Sequence, residues 1–196
     1  MLLNRVEFAL MNNPLRAVLQ RRFEAPRLLR MGGSMRGGSA LELGCGRGVG
    51  TELILDLFGA DRVDAFDLDL RMIRRAQPRL ARRGARVGLW VGDATAIAAP
   101  DGTYDAAFDF GIIHHIPDWR QALSEVRRVL KPGGRFFAEE VLAPVIRHSR
   151  YFLEHPQHDR FNADDFVAAL EESGLKPLAS ETMGHAFAWF VARKPT

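Results

Sequence analysis

The sequence predicts an α/β fold: a doubly wound, mostly parallel sheet of seven strands with an antiparallel last strand, Rossmann-like, preceded by an N-terminal helical appendage. Three observations carry that expectation. From Ser39 to Val141, five apolar strand-like segments alternate with segments of helical periodicity, the pattern of stacked strand–helix–strand units. The first strand, in LELGCGRGVG from Leu41 to Gly50, runs into Gly44, Gly46, Gly48 and Gly50 and then the helical pattern TELILDLF. Near the end, KPLASET and AFAWFVARK flank Met183-Gly184-His185, which reads as a hairpin turn.

The elements follow in order. Residues Met1 to Arg36 form the appendage, separated from the core by the glycine-rich MGGSMRGGS. Asn13-Pro14 reads as a helix restart with Pro at the first helical position, and Leu15, Val18, Leu19 and Phe23 then form an apolar stripe. RVDAFDLD reads as a second strand ending in an acid, and Asp93 follows a third. YDAAFDFGIIHHIPDW is a fourth strand running into His114 and His115, with Asp118 as the N-cap of the next helix. EVRRVLKPGGRFFAEE gives that helix, a Lys-Pro-Gly-Gly turn and a fifth strand. An irregular piece from Leu142 to Phe161 leads to a helix from about Ala163 to Ser173 and the closing strand pair.

At 196 residues the chain reads as one domain, large enough to bury a core. No apolar run approaches the roughly 18 residues of a transmembrane helix. MLLNRVEFALMNN does not read as a leader, because charges interrupt its apolar positions. The lone Cys45 has no intrachain partner, which points to a cytoplasmic setting. Its place in the glycine loop suits either a reactive thiol or a small side chain in a crowded turn.

A strand that stops in a glycine loop lets backbone N–H groups approach a ligand closely. The dinucleotide pattern G-x-G-x-x-G fails here, because Val49 stands at its third glycine position. The P-loop pattern fails for want of Gly-Lys-Ser/Thr. What remains is Glu42 two residues before Gly44, and a carboxylate there opposes a pyrophosphate but suits an ammonium.

The acid followed by G-x-G-x-G resembles the first motif of the class I S-adenosylmethionine (SAM)-dependent methyltransferases. The later segments match that family in sequence order, over roughly Ser39 to Glu140. The resemblance implies SAM as cofactor, with S-adenosylhomocysteine as product. It implies Glu42, Gly44, Cys45, Gly46, Asp67 and Leu68 as cofactor-binding residues, with Glu42 toward the ammonium and Asp67 at the ribose. Asp93 and Ala94 belong at the adenine. Asp109 joins the set at the sheet edge, where pairing with a local group is the competing reading. FDFGIIHHIPD and EVRRVLKPGG are similar to the ubiquinone- and menaquinone-biosynthesis-like small-molecule methyltransferases, whose acceptors are O, N or C atoms.

Methyl transfer from a sulfonium needs alignment and exclusion of water above all. A hydroxyl or acidic carbon acceptor also benefits from a base, for which His115 and then His114 are the candidates; shaping the loop is their other role. Glu139 and Glu140 end the fifth strand, one on each face. RHSRYFLEHPQHDRFN gathers His148, His155, His158 and Asp159 where an acceptor could be met. Pro156 argues against a helical metal face there, and no metal site is expected.

The first 36 residues carry seven arginines against Glu7 and Glu24, although the whole chain is only +3. Such a basic helix suits a lid over the cofactor, or a lipid or membrane surface. Nucleic acid is not expected as a partner, since no aromatic ladder accompanies the arginines. The remaining partner is a small-molecule acceptor, with the oligomeric state open. A SAM-binding module without turnover is the competing class.

Overall fold

The protein is described from a computed structural model, covering residues 13–143 and 161–196. Its seven strands are β1 (Ser39–Leu43), β2 (Arg62–Asp67), β3 (Val87–Val91), β4 (Tyr104–Phe110), β5 (Leu130–Val141), β6 (Lys176–Met183) and β7 (Phe187–Arg193). They form one sheet in the order β3-β2-β1-β4-β5-β7-β6. β1 to β5 are mutually parallel, and β7 runs antiparallel to both neighbours. The order reverses between β1 and β4, so their C-terminal ends diverge into a crevice. The α/β class and the antiparallel closing strand are as the sequence implied. The Lys-Pro-Gly-Gly turn differs: it forms an irregular start to β5, with a register shift opposite Tyr104 and Ala106.

Helices cover both faces. On one side lie α2 (Ala25–Gly32), α3 (Val49–Asp56) and α4 (Leu70–Leu80), burying Leu28, Leu53, Ile54, Ile73 and Leu80. Phe58, Phe108 and Phe137 meet there with ring centroids 4.7–5.3 Å apart. Each fully buried phenyl contributes about 2 kcal/mol of burial. On the other side α5 (Trp119–Val129) and α6 (Ala163–Glu172) pack Trp119, Leu123, Val126, Phe166 and Leu170 against Leu41, Leu43, Phe136 and Phe190. Asp118 caps α5 by accepting from Gln121 N–H at 3.1 Å, and Asn162 and Asp165 form a capping box on α6.

The appendage is more firmly attached than its glycines suggest. Helix α1 (Pro14–Leu19) starts at Pro14 with Asn13 as N-cap, then passes through a π-helical turn, Gln20–Glu24, into α2. Pro26 has no N–H for the α-helical ladder, and a π turn relieves its ring clash. Leu28 is fully buried, and a Cβ on Gly32 would collide with Phe137. Arg135 donates to the Gly32 carbonyl and, at 2.7 Å, to that of Ser34. The glycine-rich stretch is thus pinned to β5 at its start.

Candidate active site

The crevice between β1 and β4 opens into a cavity of about 350 Å³. Strand parity decides which side chains reach it. Glu42 follows Ala40 on the α3 side of β1, and Asp67 ends β2 on the side of Val63 and Ala65. The glycine loop turns between them. Cys45 N–H donates to the Phe66 carbonyl at 2.8 Å, and Gly46 N–H donates to Asp67 Oδ2 at 2.9 Å. Gly48, at φ +83°, starts α3. Gly44 has φ +62°, and a Cβ there would lie 2.6 Å from Ile112 Cγ2. Gly46 has φ +52° with nothing within 4 Å of the added carbon, so the loop offers bare backbone to the cavity at that point.

Burial disfavours the charge on two of the acids, Glu42 and Asp67. Glu42 is almost fully buried; Thr51 donates its hydroxyl to it, and a Cβ on Gly50 would strike its carboxylate. Burial pushes its pKa up to about 8 despite the Thr51 hydrogen bond, and Asp67 and Asp109 push the same way. Burial also raises Asp67, opposed by the N–H groups of Asp69 and Gly46. Asp93 lies beyond β3, its Oδ1 accepting from Thr95 N–H at 2.9 Å and from the Thr95 hydroxyl at 2.8 Å. Glu42, Gly44, Cys45, Gly46, Asp67, Leu68, Asp93 and Ala94 all line the cavity. Burial, then Glu42 and Asp67, holds the Cys45 thiol well above its usual range, which suits a packed thiol rather than a nucleophile.

The two adjacent histidines are separated. His115, on the 3-10 turn Ile113–His115, lines the cavity, whereas His114 is not among its lining residues. The His114 side chain is only 5% exposed, with Nδ1 2.5 Å from Glu140 Oε2. Glu140 also accepts from the N–H groups of Ile113 at 2.9 Å and His114 at 3.2 Å. Asp109 accepts from Ile112 N–H at 2.8 Å. It too lies away from the cavity lining, because it follows Ala107 on the α5 face. Burial raises its pKa strongly, with Glu140 beside it adding to the effect. Two carboxylates from neighbouring strands therefore hold three consecutive backbone N–H groups, those of Ile112, Ile113 and His114.

Glu139 faces the other side, toward α1. Arg16 pairs with Glu24 and reaches Glu139 at 3.5 Å. Arg16, Ala17 and Gln20 line the cavity from above, three contributors that sequence reasoning missed. The signal was present: Arg16 and Gln20 stand four residues apart, off the apolar stripe. His148, His155, His158 and Asp159 lie outside the described residues.

The residues present fit SAM. A buried carboxylate at the cavity wall whose ionisation a cation would restore, bare backbone at Gly46, and a carboxylate at the end of β2 match an ammonium, a close-lying chain and a ribose in turn. Fold and crevice define a class: an α/β domain with a ligand crevice at the switch point of its sheet. Residues 40–134, just under half of the chain, match the family model described as a methyltransferase domain, which supports a class I SAM-dependent methyltransferase.

Relatives agree with this. A Mycolicibacterium smegmatis protein described as a probable S-adenosylmethionine-dependent methyltransferase is 32% identical over 149 residues, 76% of this chain and 55% of the relative. Phosphoethanolamine N-methyltransferase 2 of Caenorhabditis elegans is 34% identical over 172 residues, 80% of this chain and 39% of the relative. The chain thus spans about half, or less, of these relatives. A SAM-dependent methyltransferase from Aquifex aeolicus superposes with a TM-score of 0.77 at 19% identity, covering 98% of this chain and all of the other, and so shares the fold.

Proposed function

We propose that this chain transfers a methyl group from SAM to an O, N or C atom of a small-molecule acceptor by in-line displacement. The observation that carries the reading is the acid-walled cavity at the glycine loop, which His115 also lines. SAM, when bound, supplies a methyl group already made electrophilic by its sulfonium. Glu42 answers the ammonium, Asp67 accepts from the ribose hydroxyls, and Asp93 with Ala94 borders the base. His115 then borders the acceptor and takes a proton where the acceptor carries one. A neutral amine needs no such base.

The division of labour follows. Residues 1–36 act as a lid, residues 39–141 hold the cofactor, and residues 142–196 complete the acceptor side. Arg16 and Gln20 support the lid role, since they border the cavity and help keep water from it.

The test uses methyl-labelled SAM with the full chain and a bacterial extract, separated into organic and aqueous phases. Label transferred to a small molecule, with S-adenosylhomocysteine formed in step, supports the proposal. Its phase tells lipid-like from water-soluble acceptors. Tight SAM binding without S-adenosylhomocysteine in any fraction overturns it in favour of a module that binds without turnover.

A further inference from the structure

The segment Pro14–Glu24 has two unlike faces. Arg16, Ala17 and Gln20 line the cavity. Leu15, Val18, Leu19 and Phe23 point outward and are 62%, 49%, 42% and 66% exposed. A single exposed leucine is ordinary; four large apolar side chains at i, i+3, i+4 and i+8 on one stripe mark an interaction surface.

The ground beside the stripe is strongly basic. Leu70 to Arg86 holds seven arginines and no acid or lysine. Six of them, Arg71, Arg74, Arg75, Arg79, Arg82 and Arg86, are exposed. Stripe and basic face are joined. Arg21 and Arg79 share Glu52, and Arg47 donates to the carbonyl of Asn13, the N-cap of α1, at 2.8 Å. The guanidiniums of Arg79, Arg75 and Arg21 crowd Arg47 closely enough to depress its pKa, after burial. The nearby acids Glu52, Asp56 and Asp69 are each already paired with arginine.

We infer that this joined surface docks on an anionic lipid bilayer, with the apolar stripe entering the acyl boundary and the arginines lying against headgroup phosphates. Both halves are needed for that partner. A nucleic acid would use the arginines but leave four apolar side chains against a phosphate backbone, with Phe23 the stripe's one ring for stacking. A second copy of this chain would bring two arginine faces together. No helix of the described residues is long and apolar enough to cross a membrane, so the contact is peripheral. Docking needs no turnover, so the inference stands apart from the proposed methyl transfer.

The experiment is flotation of the full chain with phosphatidylglycerol–phosphatidylcholine vesicles and with phosphatidylcholine vesicles alone. Binding is expected on the anionic vesicles at low salt, falling about tenfold in the Leu15→Ser/Phe23→Ser double variant. The Arg74→Glu/Arg82→Glu double variant is expected to lose about tenfold as well. All four side chains are exposed, and melting curves check that both variants fold. Absence of binding to anionic vesicles overturns the inference, as does binding that neither double variant weakens. So does a dimer in sedimentation that the Leu15→Ser/Phe23→Ser change dissolves, or tighter retention on duplex DNA that this change leaves intact.

Discussion

The backbone N–H of Gly46 donates to Asp67 Oδ2 at 2.9 Å, tying the glycine loop after β1 to the end of β2. With Asp69 N–H on Oδ1, also at 2.9 Å, each carboxylate oxygen already accepts one backbone hydrogen bond and keeps one lone pair for a ligand. Asp67 thus shapes the loop as well as facing the cavity. Asp67→Ala is expected to weaken SAM binding by about 1–3 kcal/mol, through lost charged hydrogen bonds and a slackened loop. Titration calorimetry checks this, and unchanged affinity removes Asp67 from the site.

The glycines of the loop separate binding from folding. At Gly44 an added methyl group meets Ile112, whereas at Gly46 it meets open space. Gly44→Ala is therefore expected to cost about 2 kcal/mol of stability from clash and left-handed strain. Gly46→Ala is expected to cost about 1 kcal/mol, yet to lower SAM affinity about tenfold or more by filling the approach. Melting temperatures alongside calorimetry compare the two.

Glu42 makes binding pH-linked. Its folded pKa of about 8 lies above the ordinary 4.5, so the folded protein holds a proton that the unfolded chain releases. Its contribution consequently disfavours the ligand-free fold progressively from about pH 4.5 to about pH 8. Glu42→Gln is expected to raise the ligand-free melting temperature at pH 8 by about 5 °C. A bound cation ionises Glu42, so SAM binding at pH 7 should release protons in the native protein and fewer in Glu42→Gln. Calorimetry in buffers of different ionisation enthalpy measures that difference, and equal release by both proteins excludes Glu42 as the ammonium partner.

His114 and His115 are expected to respond differently. His115→Ala should lower turnover about 100-fold for an acceptor that must lose a proton, with SAM affinity within about threefold. His114→Ala should instead lower stability by about 2 kcal/mol, because it leaves the buried Glu140 carboxyl without its ring partner. The pH profile of kcat distinguishes them: only the His115 change should remove the acidic limb, where protonation of the base stops turnover. A reversed pattern overturns the assignment.

Local patterns made much of this protein legible before any coordinates. The glycine loop, the acid two residues ahead of it and the acid at the end of β2 are short-range features, dictated by how a strand turns into a helix. Asp118 read correctly as a cap, and Pro14 as the first residue of its helix, for the same reason. Parity was harder to apply. Glu139 and Glu140 had to face opposite ways, but only the packing of α1 against one face and α5 against the other assigns Glu139 to Arg16 and Glu140 to His114.

By itself, then, the sequence determined the sheet class, the glycine loop and most of the acids that wall the cavity, because each rests on local periodicity and on how a strand turns into a helix. Tertiary structure alone decided that Asp109 and His114 turn inward to partner Glu140 and its loop, and that His115 reaches the cavity. It also decided that α1 and the π turn after it offer Arg16 and Gln20 to the crevice and the leucines of α1 to the outside. The physical reason is that periodicity tells which residues share a face, while the long-range pairs that dock an element, Arg16 with Glu139 and Arg135 with the Gly32 carbonyl, choose where that face looks.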